Sequence, residues 1–177
     1  MTNNAYRQLL EAASFAARAH HGQLRKDRVT PYVSHVFRVC LIVRDLFGFD
    51  DPRMLITALL HDAIEDTTTD FDDVEAKYGH EIATWVAYLS KDKRMPEKQR
   101  ELAYLQRLQE APWQVQVCKL ADLFDNLMDI THLPADRQAH AVKRAEQYFA
   151  VLRHLSAPEL KKPIALVEQL LLASRAP

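Results

Sequence analysis

The chain has 177 residues, enough for one ordinary domain with a real core. Its 23 basic and 24 acidic side chains leave a net charge of −1. That balance excludes a bulk nucleic-acid binder, which needs a net basic face, but not a locally basic pocket for one phosphorylated small molecule. No apolar run approaches the roughly 20 residues that span a membrane, and no signal-peptide segment opens the chain. Cys40 and Cys118 sit in apolar helical settings, as free thiols do. Together these features point to a cytoplasmic protein.

The first helix is expected from an N-cap at Asn4 to His21, stopped by Gly22. Leu9, Ala12, Ala13, Ala16 and Ala19 give it a stripe of small residues suited to close packing. His20 and His21 close it, where cationic side chains suit the helix dipole. Gln23 to Arg28 follow as a basic loop, either a solvated connection or a contact for phosphate and base, since Arg stacks on bases and neutralises phosphates. Thr30 and Pro31 read as N-cap and first residue of the second helix. That helix turns Tyr32, Val36, Val39, Ile42, Val43 and Leu46 inward and stops at Gly48, with His35 one turn in among apolar neighbours.

Asp51-Pro52 opens the third helix by the same device. Met54, Leu55, Ile56, Ala58, Leu59, Leu60, Ala63 and Ile64 cover nearly all its faces, the profile of a helix buried on all sides. Into that run fall His61, Asp62, Glu65 and Asp66. At roughly 100° per residue, His61, Glu65, Asp62 and Asp66 spread in that order over an arc of about 140°. Burying three carboxylates together is prohibitive without a neutralising cation. A divalent metal is the simplest answer, and the adjacent His-Asp pair supplies two ligands.

After the capping-rich Asp66 to Asp70, a short amphipathic helix (Phe71, Val74, Tyr78) closes at Gly79. Glu81 to Ser90 forms a helix with Ile82, Trp85, Val86 and Leu89 buried. Lys91 to Pro96 reads as a solvated charged loop, with contact to substrate phosphates as the alternative if it lies near the site, and Pro96 starts a helix reaching Gln109. Pro112 opens the second informative helix, where Lys119, Asp122, Asp125, Asn126 and Asp129 mark a polar stripe at spacings of three and four. Asp122, between apolar neighbours, is expected to be buried and to need a partner, whereas Asp125 and Asp129 read as surface acids. Helices over about 135–155 and 157–174 complete the chain, with Tyr148 in the core and Pro163 kinking or restarting the last one. All three glycines, Gly22, Gly48 and Gly79, follow helices, so none remains for a Gly-rich phosphate loop or a dinucleotide fingerprint. The expected fold is all-α, a compact multi-helix bundle in one domain over residues 1–177.

His35, His61, Asp62 and Asp122 then form a set of two imidazoles and two carboxylates drawn from three helices. Such a mixed nitrogen and oxygen site suits Mn, Fe or Zn with positions left open. Glu65, one turn beyond His61, can orient and deprotonate an attacking water, and Asp66 can support it. The order His35, His61-Asp62, Asp122 resembles the HD-domain metal-dependent phosphohydrolases. Four segments make the chain similar to the RelA/SpoT hydrolase domain: His20 to Lys26, Thr30 to His35, Ala58 to Thr67, and Lys119 to Asp122. In length it resembles the stand-alone small alarmone hydrolases.

That resemblance implies an HD-domain bundle and a Mn²⁺-dependent enzyme removing the 3′-pyrophosphate of guanosine tetra- and pentaphosphate. It implies His35, His61, Asp62 and Asp122 as metal ligands and Glu65 with Asp66 as the residues driving water. Arg25 and Lys26 would contact the guanine nucleotide, Arg25 by stacking on the base, while Asn126, Lys119 and Tyr148 would line the ribose-phosphate pocket. The chain departs from the family pattern at Val36, where Pro is usual, and in lacking Gly before Pro31-Tyr32. It also has Leu123 for the usual Arg and Asp125 for the usual His. Leu123 removes a cation, and Asp125 is expected to add negative charge where phosphates bind. Two other readings share the scaffold. One is a phosphohydrolase for another nucleotide, such as the 2′-phosphate of NADPH or a nucleoside monophosphate, and the other is a non-catalytic nucleotide sensor.

Overall fold

Helix α3 (Pro52–Leu60) is the axis on which the other elements assemble in the computed structural model, which describes residues 2–174, His132 by its backbone alone. Asp51 caps it by accepting the Arg53 N–H, Pro52 sits at its first turn, and Met54 through Leu60 are all buried. Around it pack α1 (Asn3–Ala19), α2 (Val33–Leu41), α6 (His80–Leu89) and α8 (Trp113–Met128). Ala12 and Ala16 of α1 have no exposed surface, so the small-residue stripe does bring two helix backbones close. The rest of the bundle is α4 (Ala63–Asp66), α5 (Phe71–Tyr78), α7 (Glu97–Glu110), α9 (Ala135–Leu152) and α10 (Lys161–Ala173). Among the described residues there is no strand, only an isolated bridge between Leu24 and Pro31. None of the helices is long and apolar enough to cross a membrane.

Several boundaries differ from the sequence expectation for local reasons. Thr2, not Asn4, caps α1 by accepting the Ala5 N–H. Thr30-Pro31 does not open α2. The Asp27 carboxylate takes the Val29 and Thr30 N–H groups and the Thr30 hydroxyl. That turn lets Leu24 pair with Pro31, and α2 starts only at Val33. Beyond Leu41 the helix widens into a π-helical segment, Ile42–Phe47, ended by Gly48 at φ 92°, a left-handed conformation that only glycine adopts freely. Pro163 restarts rather than kinks, lying in the first turn of α10, where its missing N–H has no acceptor to lose. Buried Gln116 caps the end of α7 from α8, donating to the carbonyls of Leu108 and Ala111 at 3.0 and 2.9 Å. The corner between those helices therefore follows from one side chain.

Candidate functional site

The sequence suggests one unbroken helix through Leu59 to Asp66, but α3 ends at Leu60 and α4 begins at Ala63. Between them Asp62 takes φ −102°, ψ 0°, in the sparsely allowed bridge region. His61 supports this break by donating its Nδ1 proton to the Ala58 carbonyl at 2.9 Å. With Nδ1 as the donor, Nε2 carries a lone pair in the neutral imidazole and a proton in the charged one. That atom is buried, makes no aligned hydrogen bond, and lies 3.0 Å from Asp62 Oδ2 and 3.8 Å from Asp122 Oδ1. That nitrogen and the carboxylate oxygens converge on one point as donors to a cation, whether a proton or a metal ion.

From α2, His35 points its Nε2 into the same space, 3.2 Å from Asp122 Oδ1 and 3.6 Å from Asp62 Oδ2. His35, His61 and Asp62 each offer a ligand atom within 4.8 Å of the others, and Asp122 joins them through both imidazoles. Electrostatics agree with that arrangement. Burial pulls the His61 pKa down, yet Asp62 and Asp122 more than offset it and push it up to about 9. Burial raises the Asp122 carboxyl, but Lys119 and His35 hold it well below the usual range. A cluster that demands positive charge, with donors of two imidazoles and two carboxylates, fits a divalent metal ion.

Each acid is steadied from behind. Asp122 accepts from Lys119 Nζ at 2.6 Å and Asn126 Nδ2 at 2.5 Å, and Tyr32 donates to Asp62 Oδ2 at 2.5 Å. Lys119 is thus first a charge partner of Asp122, its ammonium resting over the Tyr148 ring at 4.6 Å. Asp125 is not a surface acid. It is 2% exposed, meets His35 Nδ1 at 2.6 Å, and accepts two bonds from Arg38 at 2.6 and 3.0 Å. Its charge therefore turns away from the place where a phosphate would lie. Asp129 is half-buried and paired with Arg25 at 2.9 Å.

A cavity of about 330 Å³ opens over the ligand set, with Glu65 and Asp66 on one edge and Asn126 and Leu123 on another. Its lining carries five cations: Arg25, Lys26, Lys91, Lys119 and Arg144. Arg25 is held rather than free, bonded to Asp129 and Asn126 and stacked over Tyr32 at 5.6 Å. Tyr148 is buried as expected, yet its hydroxyl donates to Glu101 and accepts from Lys91, both at 2.6 Å. Lys91 is not part of a solvated loop. Its ammonium is bound by Glu101 and Tyr148, and its N–H donates to Glu65 Oε2 at 2.9 Å. Glu65 is half-buried, and burial pushes its carboxyl above the ordinary range despite the Lys91 contact. Asp66 is paired with Lys93, and its carbonyl accepts from Gln23, which His20 anchors in turn.

The structure thus brings together all eleven residues singled out in the sequence. Sequence reasoning gave no role to Tyr32, Arg38 or Arg144, gave Lys91 only a loop that could meet phosphates, and read Asp125 as a surface acid near them. For two of them helical spacing held a signal, since Arg38 lies three residues from His35 and Asp125 three from Asp122.

Comparison with known proteins agrees with this geometry. A model of the HD domain family matches residues 12–156. The chain is 34% identical over 142 residues to the guanosine-3′,5′-bis(diphosphate) 3′-pyrophosphohydrolase MESH1 of Xenopus tropicalis, covering 80% of this chain and 78% of that protein. It is 38% identical over 144 residues to MESH1 of Homo sapiens, covering 80% and 79%. Among solved structures it matches, with a TM-score of 0.84 and 28% identity, a protein described as a metazoan ortholog of SpoT that hydrolyzes ppGpp, covering 95% of this chain and 96% of that one.

Proposed function

The chain belongs to the HD domain family, and on that premise we propose that it is a Mn²⁺-dependent hydrolase removing the 3′-pyrophosphate of guanosine tetra- and pentaphosphate. The observation that carries the reading is the buried Nε2 of His61 facing two carboxylates and a second imidazole at the foot of a cation-walled cavity. His35, His61, Asp62 and Asp122 would hold the metal. Once bound, it would supply Lewis acidity to the phosphoryl group and to water.

The remaining steps fall to the chain. Glu65, desolvated and fixed through one oxygen by the Lys91 N–H, takes a proton from the attacking water. The water oxygen bonds to the phosphorus attached at the 3′ position, and the bond from that phosphorus to the 3′ oxygen breaks. The proton passes to the departing 3′ oxygen, leaving GDP or GTP and pyrophosphate. Asp66, neutralised by Lys93, keeps the same edge polar. Arg144, Lys91 and Lys26 offset the charge of the pyrophosphate, and Arg25 with Asn126 faces the nucleoside. Asp125, turned onto His35, removes the charge conflict that the sequence suggests.

Purified protein with guanosine tetraphosphate and Mn²⁺ should release GDP and pyrophosphate in equal amounts. Orthophosphate alone, or turnover only of the 2′-phosphate of NADPH in the same assay, would reject this substrate while keeping the metal chemistry. Tight nucleotide binding without turnover would identify a sensor.

A further inference from the structure

Asp125 stands where the resembled family usually has His, and no part of the reaction described above uses it. The carboxylate is buried, and its partners leave little freedom. Arg38 grips both oxygens, Nε to Oδ1 at 2.6 Å and Nη2 to Oδ2 at 3.0 Å, while Arg25 Nη2 approaches Oδ2 at 3.9 Å. A carboxylate bound this way can only accept, so its 2.6 Å contact with His35 Nδ1 requires the imidazole proton to reside on Nδ1. In the neutral imidazole His35 Nε2 then carries the lone pair, aimed at Asp62 and Asp122. The Ala58 carbonyl does the same for His61. The two imidazoles thus carry matched tautomers from unlike acceptors, one neutral and one charged.

We propose that Asp125, clamped by Arg38, is a positioning residue that fixes the tautomer and ring orientation of His35 and strengthens it as a metal ligand. A charged acceptor behind Nδ1 raises the electron density at Nε2 and holds the ring against rotation. Arg38 fixes Asp125 in turn, and Asp129 bridges Arg38 to Arg25 at 3.4 and 2.9 Å. The device rests on the metal reading of the site and is independent of the substrate.

The test is metal binding without nucleotide. In Asp125→Asn, which retains size but loses the charge, the Kd for Mn²⁺, followed by the electron paramagnetic resonance of the free ion, should weaken about 10- to 100-fold. Asp125→Leu should weaken it at least as much. In the Zn²⁺-loaded protein, the His35 Nδ1 proton should give a slowly exchanging, strongly downfield NMR resonance that moves upfield in Asp125→Asn. A structural role would lower the thermal midpoint without moving either readout. If Asp125→Leu does not fold, the Asn variant decides. An unchanged Mn²⁺ Kd in Asp125→Asn overturns this proposal alone. Failure of the unsubstituted chain to bind Mn²⁺, Fe²⁺ or Zn²⁺ overturns the metal reading with it.

Discussion

Glu65, the proposed base, shows how a single side chain placed for chemistry can be costly to the fold. Burial and the neighbouring Asp62 and Asp66 carboxylates raise its pKa, while only the Lys91 contact favours the ionised form. An acid whose folded pKa is raised costs stability once it ionises. The cost sets in as the pH passes the ordinary glutamate value of 4.5 and is complete above the raised folded value. Glu65→Gln can still accept the Lys91 N–H without carrying that charge. It should raise the thermal midpoint of the metal-free protein at pH 7, leave Mn²⁺ affinity near the wild-type value, and lower turnover by about 10²–10⁴-fold. At saturating metal, the acidic limb of kcat/KM should lie above 4.5 in the wild type, because activity is lost as the base protonates, and should vanish in the variant. A variant that turns over at the wild-type rate would assign the base elsewhere.

At the scale of elements, helix content and the buried faces were legible because apolar period, N-caps and glycine stops are local signals. Asp51-Pro52 opening α3 and the capping-rich Asp66 to Asp70 ahead of α5 are read directly from the chain, and Asp70 does cap α5. What was not legible depends on partners far away in sequence or on competition between two local signals. Thr30-Pro31 has the composition of a helix start, but Asp27 takes the Thr30 hydroxyl first. The break at His61-Asp62 is invisible to periodicity, because Ala58, which receives the imidazole proton, is an ordinary helical residue in sequence. Asp125 looked exposed because its position on α8 is polar, and only the approach of α2 buries it. Packing of α1 on α3 tests the same reasoning in the core. Ala16 is fully buried where the two helices meet, so Ala16→Leu should overpack the contact and cost about 1–3 kcal/mol in urea unfolding. Because α3 leads into His61, the variant should also weaken Mn²⁺ binding. Wild-type stability would mean that the α1–α3 interface has room that the structure does not show.

At the scale of the molecule, a net charge of −1 conceals a strong separation of charge. Acids from the α3–α4 corner, α4 and α8 gather in one cavity, and cations from the loops, α8 and α9 line it. Such a cluster is stable only when something positive completes it. Lys119 neutralises one oxygen of Asp122, Tyr32 donates to Asp62, and His61 gains protons more readily than a free histidine. A divalent ion held by the four proposed ligands would take the place of that proton. Metal binding to the native state but not to the unfolded chain stabilises by RT ln(1 + [M]/Kd), about 2.7 kcal/mol at 100 times Kd. For a chain of this length that is a rise in thermal midpoint on the order of 5–10 °C. Chelation followed by calorimetric scanning should lower the midpoint by that amount, and added Mn²⁺ should restore it. In Asp122→Asn, which weakens the ligand set while keeping its shape, most of the metal-dependent shift should disappear. An equal shift in that variant would place the ion at some other site than this cavity floor.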